Sequence, residues 1–360
     1  MGLPEISVVF VLQDLEFGGT QRQTLELLRR LDRSQFTPEL WILRDGGDFL
    51  QNVRTLGIPS HVLSSCLAVN PTSLLNLWRR LRRTRPDILI PMTVVPNIWC
   101  RLLGRLAGCP VILGTCRGGG SVKRQHEKRL WRLAHHHACN AEALCKGLAA
   151  LGTPSHRLTL IENGIDVAQW DAGPRSDIGK RLLAVGRLHE DKDHETLLHA
   201  MALLPEHHAD ARLTIVGDGP LQHELQTTAG RLGLDDRVRF EPARHDLLPY
   251  YAQSTLLVHP SRREALPNSI MEGAAAGLPV IATDVGGVSR LVVEGKTGLL
   301  VEPGDAKELA QAICTLLDAP ERAHDMGSQG KQHMQQHFSM DAMVQNYETL
   351  LHDLAAVLRS

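Results

Sequence analysis

The 360-residue sequence has few aromatic residues, no long apolar run and no dinucleotide-binding glycine signature. Aromatics make up 4% of the chain and the formal net charge is −1, which argues against binding to nucleic acid. No apolar run approaches the roughly 20 residues that a membrane-spanning helix needs. No G-x-G-x-x-G follows a predicted strand, so a nicotinamide-dependent dehydrogenase is also disfavoured.

The seven cysteines are scattered, odd in number and without a C-x-x-C pair. This pattern favours neither a disulfide framework nor a zinc ribbon, and it is typical of a reducing compartment. The first apolar stretch, Ile6–Leu12, has no basic region before it and is soon followed by Asp14 and Glu16. It predicts a buried strand rather than a signal peptide, and therefore a cytoplasmic protein.

The near-neutral total hides a charge asymmetry between the two halves. Residues 1–171 hold 21 Lys and Arg against 14 Asp and Glu, a net of +7, whereas the rest hold 18 against 26, a net of −8. The basic residues concentrate in the amphipathic segment Leu74–Arg85 and in Lys123–Arg132. They indicate either peripheral contact with an anionic membrane or lipid-phosphate acceptor, or simply the solvated face of a packed helix.

Short β-branched runs alternate with helical patterns throughout, which predicts an α/β protein with parallel sheets. We expect two Rossmann-like parallel-sheet domains that face each other across a cleft, at residues 1–171 and 172–340. The final helix, 341–360, is expected to pack back on the first domain. The polar segment Asp171–Lys180 is interpreted as the interdomain linker.

Strand and helix positions follow from the same patterns. In the first half, strands are predicted near Ser7–Leu12, Glu39–Leu43, Ile88–Pro91 and Val111–Thr115, with helices over Thr20–Leu31 and Leu74–Thr84. In the second half, strands are predicted at Leu182–Val185, Leu213–Val216, Thr255–Val258 and Pro279–Ala282. Polar or glycine residues follow each of these four strands, and open α/β sheets bind ligands outside that edge.

Two carboxylates eight positions apart, Glu264 and Glu272, accompany a helix start at Pro267-Asn268, where Pro267 suits a rigid turn and Asn268 is expected to be the cap residue. The helix N-terminus suits a phosphate, and the acids suit sugar hydroxyls or a ribose diol. A capped surface helix with two solvated acids is the alternative.

Two cations, Arg187 and Lys192, follow the strand that ends at Val185. They could clamp a diphosphate and neutralise a leaving group, or they could be ordinary surface charge. Asp191 and Asp193 also form a D-x-D pattern, but a metal site there fits the segment less well than the cationic interpretation. No metal ligand set is therefore predicted.

A glycine pair, Gly18-Gly19, lies between the first strand and the first helix. Such glycines let backbone amides approach an anion, although a tight turn is the simpler explanation. Three consecutive histidines, 135–137, would point in different directions on a helix and are not expected to share a metal ion. His259, at a strand end, is expected to be structural more readily than catalytic.

With these residues, the sequence resembles family 4 of the glycosyltransferases, which are retaining enzymes with the GT-B fold. The resemblance rests on ordered motifs over nearly the whole chain. These are Gly18-Gly19, Asn163-Gly164-Ile165-Asp166, Gly186-Arg187 with Lys192, Gly217-Asp218-Gly219-Pro220, Glu264 to Glu272, Gly277 to Thr283 and Phe338-Ser339.

The resemblance implies a role for each matching residue. The first domain would bind the acceptor and the second the nucleotide sugar, with no further cofactor. Arg187 and Lys192 would bind the donor diphosphate, Glu264 the transferred sugar and Glu272 the ribose. Backbone amides at Gly18, Gly19, Asn268, Ser269 and Ile270 would line the sugar and phosphate path, and the base would lie against Arg239–Arg244, including Ala243. Catalysis would need no metal ion.

One position departs from the family pattern. Many relatives have a histidine after the fourth strand, where this sequence has Arg117 followed by glycines. A guanidinium cannot act as a base at neutral pH, but it can bind an acceptor phosphate or the departing diphosphate.

Two alternatives stay open at this point. Another enzyme on the same fold, such as a sugar-nucleotide epimerase or a phosphorylase, would share many of these motifs. A catalytically inactive assembly partner would share them as well. The sequence leaves the nucleotide, the sugar, the acceptor and the oligomeric state undetermined.

Overall fold

The computed structural model describes residues 5–118, 126–173 and 179–356. It divides into an N-terminal unit, 1–164 with 340–360, and a C-terminal unit, 165–339. The division therefore falls after Gly164, within the Asn163–Asp166 turn signal, rather than at the expected boundary after residue 171. Part of the proposed linker, 174–178, lies outside the described residues, as do Gly119, Gly120 and the start of the basic run at Lys123.

The N-terminal unit is built on a seven-stranded sheet in the order β3-β2-β1-β4-β5-β6-β7. Its strands are β1 Ile6–Leu12, β2 Phe36–Ile42, β3 Ser60–Val62, β4 Ile88–Pro91, β5 Val111–Cys116, β6 His136–Cys139 and β7 Leu158–Leu160. Every paired strand is parallel. The central strands are nearly continuous apolar runs because helices cover both sheet faces.

The helices of this unit connect and cover those strands. They are α1 Gly19–Arg30, α2 Leu50–Thr55, α3 Pro71–Thr84, α4 Val94–Ala107, α5 Glu127–Leu130, α6 Glu142–Ala150 and, from the chain end, α14 Met340–Ala356. Asn70 caps α3 in a capping box with Ser73, and Pro71 follows at the first helical position. Helix α14 contributes Met343, Tyr347 and Leu351 to the core beneath β1.

The C-terminal unit is built on a six-stranded parallel sheet in the order β10-β9-β8-β11-β12-β13. Its strands are β8 Arg181–Val185, β9 Arg212–Val216, β10 Val238–Glu241, β11 Leu256–His259, β12 Val280–Thr283 and β13 Gly298–Val301. Its helices are α7 His194–Ala202, α8 Gln222–Arg231, α9 Leu248–Ala252, α10 Asn268–Ala275, α11 Val288–Leu291, α12 Ala306–Leu317 and α13 Pro320–His337. Strand order reverses between β8 and β11, which creates a crevice at their carboxyl ends.

The fold class is confirmed for each unit, and the main strands lie within a few residues of their predicted positions. Five strands were not predicted, and all of them lie at or towards the outer part of a sheet: β3, β6, β7, β10 and β13. Among the described residues, no helix is both long enough and apolar enough to cross a bilayer.

Candidate active site

The carboxyl ends of β8 and β11 bring the predicted charged residues of the C-terminal unit together. Lys192 ends a short 3₁₀ turn, Glu190–Lys192, that follows β8, and Glu264 lies in the loop that follows β11. The Lys192 ammonium donates a short hydrogen bond to Glu264 Oε1. Glu264 is only 7% exposed, so this pair is largely shielded from solvent.

His259, the last residue of β11, connects this ion pair to helix α10. Its Nε2 lies 2.8 Å from Glu264 Oε1, and its Nδ1 lies 3.2 Å from Ser269 Oγ. The network assigns the proton to Nε2, which donates to the carboxylate, while the Ser269 hydroxyl donates to Nδ1. Lys192, Glu264, His259 and the first turn of α10 therefore form one contiguous polar chain.

The carboxyl group of Glu264 stays ionised despite its burial. Burial alone would raise its pKa, but the nearby ammonium of Lys192 and the hydrogen bond from His259 outweigh that and lower it well below the usual range. Both of these contacts fall on Oε1. Within the described part of the chain, no hydrogen bond reaches Oε2, which is available to accept one from a ligand hydroxyl.

A second buried histidine, His194, lies beside Lys192 at the start of α7. It is 4% exposed, and its ring faces the backbone of Gly186. Burial, with the charge of Lys192 nearby, lowers its pKa to about 4, so the ring is neutral at pH 7. His194 adds bulk beneath the lysine without adding charge to the site.

Two arginines fix the loop that carries Glu264. Arg263 Nε donates to Asp191 Oδ1 at 2.9 Å, and Arg262 Nε lies 2.8 Å from Asp193 Oδ2. Both guanidinium groups are more than half exposed, so each pair contributes less than about 1 kcal/mol to stability. The two aspartates of the D-x-D pattern therefore act as anchors for this loop.

Glycines allow neighbouring loops to approach this one closely. Gly286 has a φ of +60°, and a side chain there would collide with the carbonyl oxygen of Glu264. Gly217, at a φ of +152°, would collide in the same way with the carbonyl oxygen of Gly186. The loops after β9 and β12 thus support the backbone that carries Arg187 and Glu264.

Glu272 lies on α10, 5% exposed, and accepts a 3.0 Å hydrogen bond from the hydroxyl of Tyr251. Tyr251 is itself fully buried and also donates to the carbonyl of Ser269 at 3.3 Å. The helix begins at Asn268, with Pro267 at the cap position, so Asn268 is not the cap residue that the sequence pattern predicted. Ser269 and Ile270 fall in the first turn, where N–H groups have no acceptor within the helix.

The other residues of the predicted donor site are more open, and Arg239 lies within a strand rather than after its carboxyl end. Arg187 is exposed directly after β8, and no ion pair to it occurs among the described residues. Arg239, on edge strand β10, is 78% exposed and pairs with Glu241. The backbone N–H of Ala243 donates to Asp218 Oδ2 at 3.2 Å, which ties the segment after β10 to the loop after β9.

In the N-terminal unit, Gly18 is the cap of α1 and Gly19 is its first residue, beyond the carboxyl end of β1. Arg117 follows β5 and is 9% exposed. Its guanidinium donates to Tyr347 Oη at 2.9 Å and to Asn163 Oδ1 at 2.6 Å, while Nε is buried without a hydrogen-bond partner in the described residues. No carboxylate within the described ranges pairs with this cation.

Of the three consecutive histidines, His135 lies just before β6 and the other two begin this strand, and each contacts a different group. His135 Nδ1 accepts from the amide of Ile112, His136 Nε2 lies 2.8 Å from Thr159 Oγ1 and His137 Nε2 lies 3.0 Å from the carbonyl of Trp131. Burial lowers the pKa values of all three rings, to about 4, 4 and 3 in chain order.

Two further residues belong to the candidate site. His259, which is expected to be structural more readily than catalytic, contacts Glu264 directly at the end of β11, beside Ser261. Tyr251 was not singled out, because nothing in the sequence links a residue of α9 to Glu272 on α10.

The comparisons with known proteins identify the class. Residues 17–169 match the family model described as Glycosyltransferase Family 4, and residues 179–319 match the one described as Glycosyl transferases group 1. The Escherichia coli UDP-Gal:alpha-D-GlcNAc-diphosphoundecaprenol alpha-1,3-galactosyltransferase is 26% identical, over 83% of this chain and 85% of that protein. The Rhizobium meliloti lipopolysaccharide core biosynthesis glycosyltransferase LpsE is 29% identical, over 75% and 77%.

Solved structures agree on the fold. The crystal structure of Anabaena HepE in complex with UDP and glucose has a TM-score of 0.85, with 22% identity over 97% of this chain and 100% of that one. This protein is therefore a glycosyltransferase of the GT-B fold, an enzyme that transfers a sugar from a nucleotide sugar. More narrowly, the chain belongs to glycosyltransferase family 4.

Proposed function

We propose that the enzyme transfers a hexosyl unit from a nucleoside diphosphate sugar to a glycan or lipid-linked acceptor, with retention of anomeric configuration and without a metal ion. The observation that carries this proposal is the polar chain from Lys192 through Glu264 and His259 to the first turn of α10. It brings a cation, an ionised carboxylate and a helix N-terminus to one sheet edge.

The donor diphosphate is bound by Arg187, Lys192 and the first-turn amides of α10. Two cations and a helix N-terminus supply the positive charge that a departing diphosphate needs. A divalent ion is then unnecessary at this position. The pairing of Asp191 and Asp193 with arginines supports the same conclusion, since those carboxylates are engaged.

Glu264 holds the transferred sugar through its Oε2. Because its charge is compensated by Lys192 and His259 on Oε1, it is better suited to accept a hydroxyl hydrogen bond than to attack an anomeric carbon. This supports a front-face reaction in which the donor phosphate accepts the acceptor proton. Such a reaction retains configuration without a covalent enzyme intermediate.

Glu272 binds the ribose hydroxyls, oriented by the hydrogen bond from Tyr251. The base lies along the segment from Arg239 to Ala243, whose backbone is attached to Asp218. In the N-terminal unit, Gly18 and Gly19 present the N-terminal amides of α1 to a substrate phosphate or sugar.

The acceptor carries an anionic group and binds the N-terminal unit. Arg117 supports this assignment, since it is a buried guanidinium that meets only neutral oxygens. The E. coli relative is named for an acceptor that contains a diphosphate. A lipid-linked phosphate acceptor would satisfy the charge that Arg117 leaves unbalanced.

Helix α3 is the surface proposed to contact the anionic cytoplasmic membrane face. Arg79, Arg82 and Arg83 are exposed on it, and Leu75 is 42% exposed one turn earlier. No carboxylate pairs with these three arginines among the described residues, so their charge is available to anionic headgroups.

A transfer assay with a panel of UDP, GDP, ADP, CMP and TDP sugars tests the proposal. We expect one or two donors to be used, activity to survive EDTA, and the product to keep the donor's anomeric configuration by NMR. An inverted product, or transfer that requires an added divalent ion, would contradict it. Lys296→Ala, at an exposed lysine of the same unit, is the matched control for Lys192→Ala.

A further inference from the structure

We propose that the C-terminal unit binds a divalent transition metal ion, with the ligand preference of zinc, through His207, His208 and Asp318. The three side chains join the 3₁₀ turn Glu206–His208 to the residue that ends α12. The site is structural and separate from the donor site.

The distances from the two histidines to Asp318 fit tetrahedral coordination. His208 Nε2 lies 3.1 Å from Asp318 Oδ1, and His207 Nε2 lies 3.6 Å from the same oxygen. Metal–ligand bonds of about 2.0–2.2 Å at a tetrahedral zinc place neighbouring ligand atoms about 3.3 Å apart. The three ligand atoms all lie within 4.8 Å of one another, and water can supply the fourth ligand.

The orientation of His208 points to an ion rather than to an ordinary hydrogen bond. The residue is 1% exposed, yet neither ring nitrogen has a hydrogen-bond partner in the described residues, despite the 3.1 Å approach to Asp318. Ligands of one metal are close together without aiming at each other, because their lone pairs converge on a third point. Burying an imidazole with both nitrogens unsatisfied is otherwise unfavourable.

The charges around the site also favour a cation. Two cations lie close to the cluster: Lys180 is paired with Asp210 at 2.8 Å and donates to the carbonyl of His207, and Arg237 donates to the carbonyl of His208 at 3.3 Å. Asp318 therefore brings a negative charge that no described residue neutralises except the two histidines.

A second cluster lies in the N-terminal unit and is not suited to a metal ion. It consists of Cys116, Glu127 and His137. It is fully buried, but Arg101 Nη1 lies 2.7 Å from Glu127 Oε2 with both side chains at 0% exposure. A permanently charged guanidinium already neutralises that carboxylate, so a metal ion there would meet a cation in contact with its own ligand.

The proposed metal site and the donor site lie at opposite ends of the strands of the C-terminal sheet. His208 precedes β9, and Lys180 precedes β8, so the cluster lies at the amino ends of those strands. The donor site lies at their carboxyl ends. Zinc should therefore tie two segments together and stabilise the unit without taking part in transfer.

Zinc chloride added to the metal-free full-length enzyme tests the proposal. At about 100 times the dissociation constant, a 1:1 ion should raise the unfolding temperature by roughly 5 °C. His207→Ala and Asp318→Asn should abolish the shift, whereas His156→Ala, at an exposed histidine of the other unit, should retain it. The rate of transfer should not change on removal of the ion.

Cobalt substitution distinguishes this site from the free cysteines. Bound Co²⁺ should give visible d–d absorption without a thiolate charge-transfer band, and the spectrum should be unchanged in Cys116→Ser. The proposal is overturned if zinc gives no shift at millimolar concentration. It is also overturned if binding survives in Asp318→Asn, or if the cobalt spectrum contains a thiolate band.

Discussion

At the carboxyl edge of the C-terminal sheet, the cation Lys192 meets the carboxylate of Glu264, whereas at the same edge of the N-terminal sheet Arg117 meets only neutral oxygens. The Lys192–Glu264 pair is charge-balanced before any ligand arrives. The charge of Arg117 becomes balanced only when an anion binds. The difference suggests that the C-terminal edge is organised in advance for the chemical step, while the N-terminal edge selects an acceptor by charge.

Breaking the balanced pair should have the largest effect. In Lys192→Met, Glu264 stays buried without its cation, so we expect about 3 kcal/mol lower stability and a roughly 10³-fold loss of kcat/KM. Chemical denaturation and steady-state kinetics measure the two quantities. The matched control is Lys296→Ala.

The double variant Lys192→Met/Glu264→Gln sharpens this test. Removal of both charges should recover most of the lost stability but none of the activity, because the unpaired carboxylate is gone while the diphosphate clamp is still missing. Recovery of activity in the double variant would show that Lys192 acts only as a structural partner.

Acidification should destabilise both units through buried histidines. The pKa of His194 is lowered to about 4 from 6.5, so the unfolded chain binds the proton first. Stability from this residue is complete above pH 6.5 and is lost as the pH falls towards 4, by at most about 3 kcal/mol. His194→Gln should flatten the dependence of unfolding free energy on pH in this window.

The flattening should be partial, because histidines 135–137 of the N-terminal unit have similarly lowered pKa values. An unchanged pH dependence in His194→Gln would mean that its ring is solvated or already charged in the folded enzyme.

Removing the charge of Arg117 should weaken the binding of a charged acceptor and leave donor binding unchanged. The test compares two acceptors that differ only by a phosphate group. Arg117→Met should raise the KM for the phosphorylated acceptor about tenfold, which corresponds to about 1.4 kcal/mol. The KM values for the neutral acceptor and for the donor should not change. Arg54→Ala, at an exposed arginine of the same unit, is the control. Equal changes for both acceptors would assign Arg117 a purely structural role.

The smallest effect is expected at the ribose. Tyr251→Phe removes one buried hydrogen bond to Glu272, so KM for the donor should rise several-fold, by about 1 kcal/mol, with kcat nearly constant. A donor with 2′-deoxyribose should lose this sensitivity. If it does not, Tyr251 acts on the fold of α10 rather than on ribose binding.

The sequence predicted the fold well where burial is complete. Strand β1 is a nearly continuous apolar run because it lies in the sheet interior, and such runs are recognisable without further context. Strands β3 and β10 are short, half-exposed and at sheet edges, so their patterns carry little signal. Edge strands form by pairing with a neighbouring strand, so their own sequence pattern does not reveal them.

The grouping of charged residues near strand ends could be predicted from topology, because parallel strands have their carboxyl ends at one edge of the sheet. What could not be predicted was pairing across distant segments. Asp191 with Arg263, and Tyr251 with Glu272, join residues 72 and 21 positions apart, and only the folded loops determine those contacts.

The most direct test of the central claim is calorimetric titration of nucleoside diphosphates into the full-length enzyme, its Lys192→Met variant and its Lys296→Ala variant. The polar edge of the C-terminal sheet predicts 1:1 binding that weakens at least tenfold in Lys192→Met and is unchanged in Lys296→Ala. Equal affinity in all three proteins would mean that the diphosphate binds elsewhere.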